Sequence, residues 1–177
     1  MATKATICKA SLNIADMDRH YYAQHNLTLA QHPSENDFRM MVRLLAFIYH
    51  PDETLLFGGG ISTDDEPDLW KKSLTGEIDL WIDLGQPDEK RLRKACGRAE
   101  QVIIYTYQDR SAAEWWKHAE KEVSRFKNLS VNFLRIEGDI EAMAKRTMQL
   151  QCNISDGELN ILDETNSVSV YQEVWKA

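Results

Sequence analysis

Alternation of apolar and polar residues divides the chain before any single side chain is considered. Residues 5–15 place Thr6, Cys8, Ala10, Leu12 and Ile14 on one face of a period-two pattern. Residues 19–30 form a more polar partner ending in Leu27-Thr28-Leu29, with Asp16-Met17-Asp18 as the turn. The pattern predicts an N-terminal hairpin, which needs a further sheet or helix to be stable. The period then changes. Phe38, Met41, Val42, Leu45 and Ile48 recur at helical spacing, and Ser34, with Asp37 three residues on, is the expected N-cap. Residues 54–57 read as a short strand leaving through Gly58-Gly59-Gly60. No Gly-Lys-Ser/Thr follows, so these glycines are read as a strand exit with unusual φ angles rather than a phosphate cradle. An acidic loop over 62–68 leads into a predicted short helix through Leu69, Trp70 and Lys72.

The stretch 76–96 organises the middle of the chain. Ile78, Leu80, Ile82 and Leu84 share one strand face, and Asp79, Trp81 and Asp83 share the other. A tight turn at Gly85-Gln86-Pro87 then feeds a helix with Asp88 and Glu89 in its first turn and Lys90, Arg91, Arg93 and Lys94 beyond. Residues 102–107 are another apolar strand, so this strand–helix–strand succession implies parallel pairing. A helix over 112–126, a strand over 129–136 and a short helix over 139–146 come next. The remainder is a three-stranded meander in which Asp156-Gly157 is a strong hairpin signal. The expected class is mixed α+β: a mixed sheet flanked by helices, plus a second sheet made by the N-terminal hairpin and the C-terminal meander. One domain over 1–177 is expected, with its core at about 32–146 and the accessory sheet from about 4–30 and 147–175.

Composition narrows the field. The 177 residues are 43% hydrophobic and 28% charged, as in ordinary globular proteins. No run approaches the ~20 apolar residues of a membrane span, and the alternating first ten residues do not resemble a secretory leader. Cys8, Cys96 and Cys152 are odd in number and widely spaced, which fits free thiols in a reducing cytoplasm. A net charge of −7 argues against a high-affinity, non-specific DNA binder. The charge is uneven: residues 51–70 hold six acids and no Lys or Arg, and residues 86–100 hold five bases against three acids.

The histidines show no metal-ligand spacing, and neither Gly-x-Ser-x-Gly nor Gly-x-Gly-x-x-Gly is present. Carboxylate and lysine chemistry remains. Acids of the 62–68 loop either cap and solvate the loop or meet Asp83 around a hard cation such as Mg²⁺. Glu35, Arg39 and Arg43 stand at i, i+4 and i+8, read as a solvated ladder on a helix flank. Trp115 and Trp116 are expected to pack in the core.

Six runs together resemble the bacterial YaeQ family over essentially the whole chain: His-Pro-Ser-Glu (32–35), Asp-Asp-Glu-Pro (64–67), Asp-Leu-Trp-Ile-Asp-Leu-Gly-x-Pro-Asp-Glu (79–89), Lys-Ala-Cys (94–96), Asn-Leu-Ser-Val (128–131) and the Thr-Met-x-Leu-Gln/Asp-Gly tail (147–157). The resemblance implies a cytosolic protein whose core is a variation on the PD-(D/E)XK nuclease fold. By that resemblance Glu35 matches the helix acid, Asp65 or Glu66 the second acid, and Asp83 the strand acid. Asp65, Glu66 and Asp83 would then hold Mg²⁺. Pro67-Asp68 also matches the second acid literally. Gly85 stands where the motif has lysine, and Lys94 or Lys90 on the following helix would replace it. The implied activity is a Mg²⁺-dependent phosphodiesterase acting on nucleic acid. The alternative is a non-catalytic module on the same fold that binds a protein or nucleic acid.

Overall fold

The computed structural model describes residues 4–177, so the first three residues of the chain lie outside it. In chain order the elements are β1 (Thr6–Asp16), β2 (Tyr21–Gln31), α1 (Asp37–Tyr49), β3 (Leu55–Phe57), β4 (Leu69–Lys72), β5 (Ile78–Leu84), α2 (Glu89–Arg98), β6 (Ala99–Thr106), α3 (Asp109–Val123), β7 (Leu129–Glu137), β8 (Thr147–Ser155), β9 (Glu158–Leu162) and β10 (Ser167–Lys176). Short 3-10 turns occur at Gly60–Ser62 and Ile140–Met143. The class is mixed α+β, as the pattern predicts. Two compact units are present, Met1–Tyr49 with Ile136–Tyr171, and His50–Arg135 with Gln172–Ala177.

In the first unit β1 and β2 pair antiparallel without a break, from Thr6 opposite Gln31 to Asp16 opposite Tyr21. The other edge of β1 takes β8 in parallel, and β9 and β10 follow antiparallel, giving the order β2-β1-β8-β9-β10. Cys8, Ala10, Leu12 and Ile14 of β1 are buried on one face, with Met148, Leu150, Cys152 and Ile154 of β8. At the β8–β9 turn Asp156 and Gly157 both have positive φ (53° and 77°), the geometry that a two-residue hairpin loop requires. The Asp18 carboxylate accepts from the backbone N–H of each at 2.8 Å, tying this turn to the β1–β2 turn.

Helix α1 starts later than predicted. Asn36 is the cap, accepting from the Arg39 N–H at 2.8 Å. Ser34 is instead occupied by His32, whose Nδ1 lies 2.7 Å from its hydroxyl. Burial is also wider than a stripe: every residue from Met40 to Ile48 is buried. Such a helix reads as buried on all sides, and it must neutralise its one internal charge, Arg43.

In the second unit β3, β4 and β5 are antiparallel, and β5, β6 and β7 are parallel, with α2 and α3 as the crossovers. The order is β10-β7-β6-β5-β4-β3. Leu92 and Ala95 of α2, Val123 of α3 and Trp81 of β5 form one core cluster with Val102, Ile104, Leu129 and Val131. Trp115 and Trp116 pack against it with Trp175. One expectation is corrected. Residues 69–72 form a strand, because Leu69 pairs with Ile82 and Trp70 with Trp81 in a β-hairpin. The hairpin and meander do pair as expected, through β1 and β8.

Among the described residues no helix is long and apolar enough to cross a membrane. All three cysteines are free. Burial raises the Cys8 thiol pKa, pushes Cys96 up to about 11 and pushes Cys152 up to about 12. Since the thiolate is the reactive form, Ellman's reagent at pH 8 should react ~10-fold or more slowly with the native protein than with the urea-unfolded chain, which should release three equivalents. Rapid native labelling of Cys8 or Cys152 would contradict their burial.

Candidate functional site

The β4–β5 hairpin positions the acids of the second unit. Its ladder ends with Leu69 opposite Ile82, which sets Asp68 beside Asp83 one residue further on. Both carboxylates are 2% exposed, a placement that is costly unless each is bonded. One oxygen of Asp68, Oδ2, accepts from the Leu84 N–H at 2.9 Å. Two of the three glycines pack closely on the Pro67-Asp68 segment. A Cβ on Gly60 would sit 2.4 Å from Asp68 Oδ1, and one on Gly58 would sit 2.3 Å from the Pro67 carbonyl. Gly58 and Gly60 also donate backbone N–H groups to the carbonyls of Asp68 and Pro67. Of the three only Gly60 has positive φ (50°), so close approach explains this run better than a strand exit does.

Asp83 is held by a guanidinium. Arg91 Nε donates to Oδ2 at 2.8 Å and Nη2 to Oδ1 at 3.0 Å, while Trp81 Nε1 adds a third bond to Oδ2 at 3.0 Å. The bidentate fork is the strong, geometry-specific form of this pairing. It also raises the Arg91 pKa, the bond to Asp83 being the main cause. Local structure brings the two together. The Asp88 carboxylate caps α2 by accepting from the Arg91 N–H at 2.8 Å, so the first helical turn folds back over the end of β5.

Arg91, Lys94 and Arg98 stand at i, i+3 and i+7, one side of α2, and together grip the acidic loop. Arg91 donates to the carbonyls of Asp64 and Glu66 at 3.2 and 3.0 Å, and Arg98 to that of Asp65 at 2.8 Å. Lys94 Nζ lies 2.6 Å from Asp65 Oδ1 and holds that carboxyl below its usual range. Behind them Arg98 sits 5.2 Å and Arg91 6.0 Å from the Trp81 ring centroid, within cation–π reach. The loop is therefore latched by helix α2 beside the buried acids.

The sequence candidates fare differently. Asp83 is at the centre. Asp65 and Lys94 meet each other, but at the surface, with side chains 82% and 46% exposed. Glu66 offers its carbonyl to Arg91. Lys90 is exposed on α2. Glu35 belongs to the first unit and precedes α1 instead of lying in its first turn. It is buried, not solvated, and its two oxygens accept from Arg39 at 2.8 Å and Arg43 at 2.5 Å. Among the described residues no group of three or more His, Cys, Asp or Glu could hold a metal ion. The donor set around Asp83 does not fit Mg²⁺, which needs several free oxygen donors in octahedral array, because a guanidinium already engages both oxygens.

Two residues of the site escape the sequence pattern. Asp68 was legible as the literal Pro-Asp pair, but its register opposite Asp83 depended on recognising β4 as a strand. Arg91 is one of four bases in a row of basic positions, and the motif points to lysine rather than to it. Its signal is the Asp88 cap, which starts the helix so that the third residue of α2 reaches back to the strand acid.

Known proteins match along nearly the whole chain. The family model described as YaeQ protein matches residues 1–172. "Uncharacterized protein YaeQ" of Escherichia coli (strain K12) is 46% identical over 178 aligned positions, covering 99% of this chain and 98% of that protein. The protein of the same name from Salmonella typhi is 44% identical, with the same coverage. The crystal structure of YaeQ protein from Xanthomonas axonopodis pv. citri superposes with a TM-score of 0.91 at 47% identity, covering 98% of this chain and 99% of that one. That of YaeQ protein from Pseudomonas syringae gives 0.90 at 32% identity, covering 98% and 97%.

Two expectations test the ion pairs. Glu35→Ala leaves the buried Arg43 charge uncompensated and should cost ~3–5 kcal/mol in urea unfolding, whereas a loss under ~1 kcal/mol would return the triad to a solvated ladder. Arg91→Ala should destabilise the fold and release the loop, seen as new Asp-N cleavage before Asp64 and Asp65 under native conditions. Lys94→Ala, which removes only an exposed partner, should leave both the unfolding midpoint and the cleavage pattern unchanged.

Proposed function

The chain belongs to the YaeQ family, and we propose that it is a non-catalytic binding module for a protein or nucleic-acid partner, built on a nuclease-like core. One observation carries this reading: both oxygens of Asp83 are bonded to Arg91. In a metal-dependent phosphodiesterase the strand acid must offer an oxygen to the cation that polarises the phosphate. Here the cation at that acid is a side chain, fixed in place by further bonds to the loop at Asp64 and Glu66. Such a carboxylate serves the fold. Gly85, where a motif lysine would stand, has φ 92° and carries no charged group, which supports the same reading.

A second reading, a Mg²⁺-dependent phosphodiesterase, is favoured by the placement of Pro67-Asp68 beside Asp83. It requires Arg91 to leave Asp83 and the acidic loop to lift, with Asp65, Glu66 and Lys94 as the further candidates. Calorimetric titration with Mg²⁺ and Mn²⁺ separates the two. The binding-module reading expects no saturable heat that Asp83→Ala removes, no metal-dependent cleavage of DNA or RNA, and nucleic-acid retention in gel shifts that EDTA does not alter. Saturable metal binding lost in Asp83→Ala, together with metal-dependent cleavage, would overturn it in favour of the enzyme.

A further inference from the structure

The first unit has a second feature, independent of the acid pair. Buried and outward positions alternate along β1, β2, β8 and β9 and through the first half of β10. In a chain that is 28% charged, the outward positions of these strands carry only Lys9 and Glu158 as ions. The rest are mainly amides and hydroxyls, aligned by register. Gln24, Asn13 and Gln151 form one row across β2, β1 and β8, and Asn153, Asn160 and Ser169 form another across β8, β9 and β10.

These side chains are bonded to one another. Gln24 Nε2 donates to Ser11 Oγ at 3.0 Å, Asn13 Nδ2 to Gln151 Oε1 at 2.8 Å, and Gln151 Nε2 to Asn153 Oδ1 at 2.8 Å. Ser169 Oγ donates to Asn160 Oδ1 at 2.9 Å. An amide has two donors and two acceptor lone pairs, so each linked amide keeps hydrogen-bonding capacity toward solvent. The links hold the rotamers, which lowers the ordering cost of binding. Neutral amides also cost far less to desolvate than ions.

We infer that this face binds a neutral oligosaccharide chain. The charge balance excludes a phosphate backbone, which needs a basic surface. The apolar and aromatic core of a protein interface is absent: Ile7 lies at the margin, and Leu162, opposite Gln151, is a single leucine among amides and hydroxyls. A hydroxyl-rich, uncharged ligand matches the donors and acceptors present. Adjacent strands repeat these groups every ~4.8 Å, comparable to the advance of one hexose unit along an extended glycan. Tyr22, 62% exposed on the edge strand β2, offers a ring for a sugar face to stack on.

The test is a two-dimensional NMR titration of the whole protein with cellohexaose, maltohexaose and chitohexaose, each taken to millimolar concentration. At least one should give saturable shifts confined to β1, β2, β8 and β9. The Asn13→Ala/Gln151→Ala double variant should bind it about tenfold or more weakly, as expected for one or two lost hydrogen bonds. Gln151→Glu, which keeps the shape but adds a charge, should abolish it. Absence of saturable shifts with all three sugars, shifts mapped elsewhere, or an unaffected double variant would overturn the assignment. So would concentration-dependent dimerisation that Gln151→Glu removes, which would give the face to a second copy of the chain.

Discussion

A carboxylate at the end of a buried strand must be hydrogen-bonded or paired, and for Asp83 the identity of the paired cation decides what the second unit can do. Arg91 fills the position with a planar fork that matches the carboxylate. Breaking such a pair on one side is expensive because it leaves a buried charge, so the arginine constrains more than its own helix. It fixes the start of α2 against β5, and it anchors the acidic loop through two backbone carbonyls. Gly60 then closes over the Asp68 carboxylate and Gly58 over the Pro67 carbonyl, where no side chain would fit. Strand, helix, loop and glycines are thus parts of one electrostatic arrangement.

The first unit solves an analogous problem with the same chemistry. Glu35 is buried ahead of α1 and is neutralised by Arg39 and Arg43 of that helix. Arg43 spans from Glu35 to the Ala30 carbonyl, so one guanidinium connects the end of β2 with a helix that is buried from Met40 to Tyr49. Both units therefore hold a buried acid with helical arginine, where lysine would supply a point charge without the fork.

Much of the fold was legible because its periodicities are clean. The β1–β2 hairpin, the β5–α2–β6 crossover and the Asp156-Gly157 turn all appear where alternation and turn chemistry put them. Elements shaped by tertiary contact were harder to read. Residues 69–72 are too short for a period to be measured and become a strand only through pairing with β5. Ser34 satisfies the local rule for a cap, yet His32 takes its hydroxyl and Asn36 does the capping. In the candidate site, Asp83 stood out as an acid on an apolar strand. The sequence could not say that the cation beside it is Arg91, because a strand acid and a helix residue eight positions later meet only when the turn geometry is known.

The parallel ladder between β1 and β8 joins residues 9–16 to residues 147–154. On a ribosome this sets an order of events. The β1–β2 hairpin can form within microseconds of emerging, but the inner edge of β1 has no partner until β8 is made. At ~5–20 residues per second that interval is on the order of 10 s. For that time an apolar strand edge, Leu12 and Ile14 included, is open to any neighbouring chain. The fold therefore carries a hazard in biosynthesis, and chaperone demand in the cell should follow translation speed through the middle of the message.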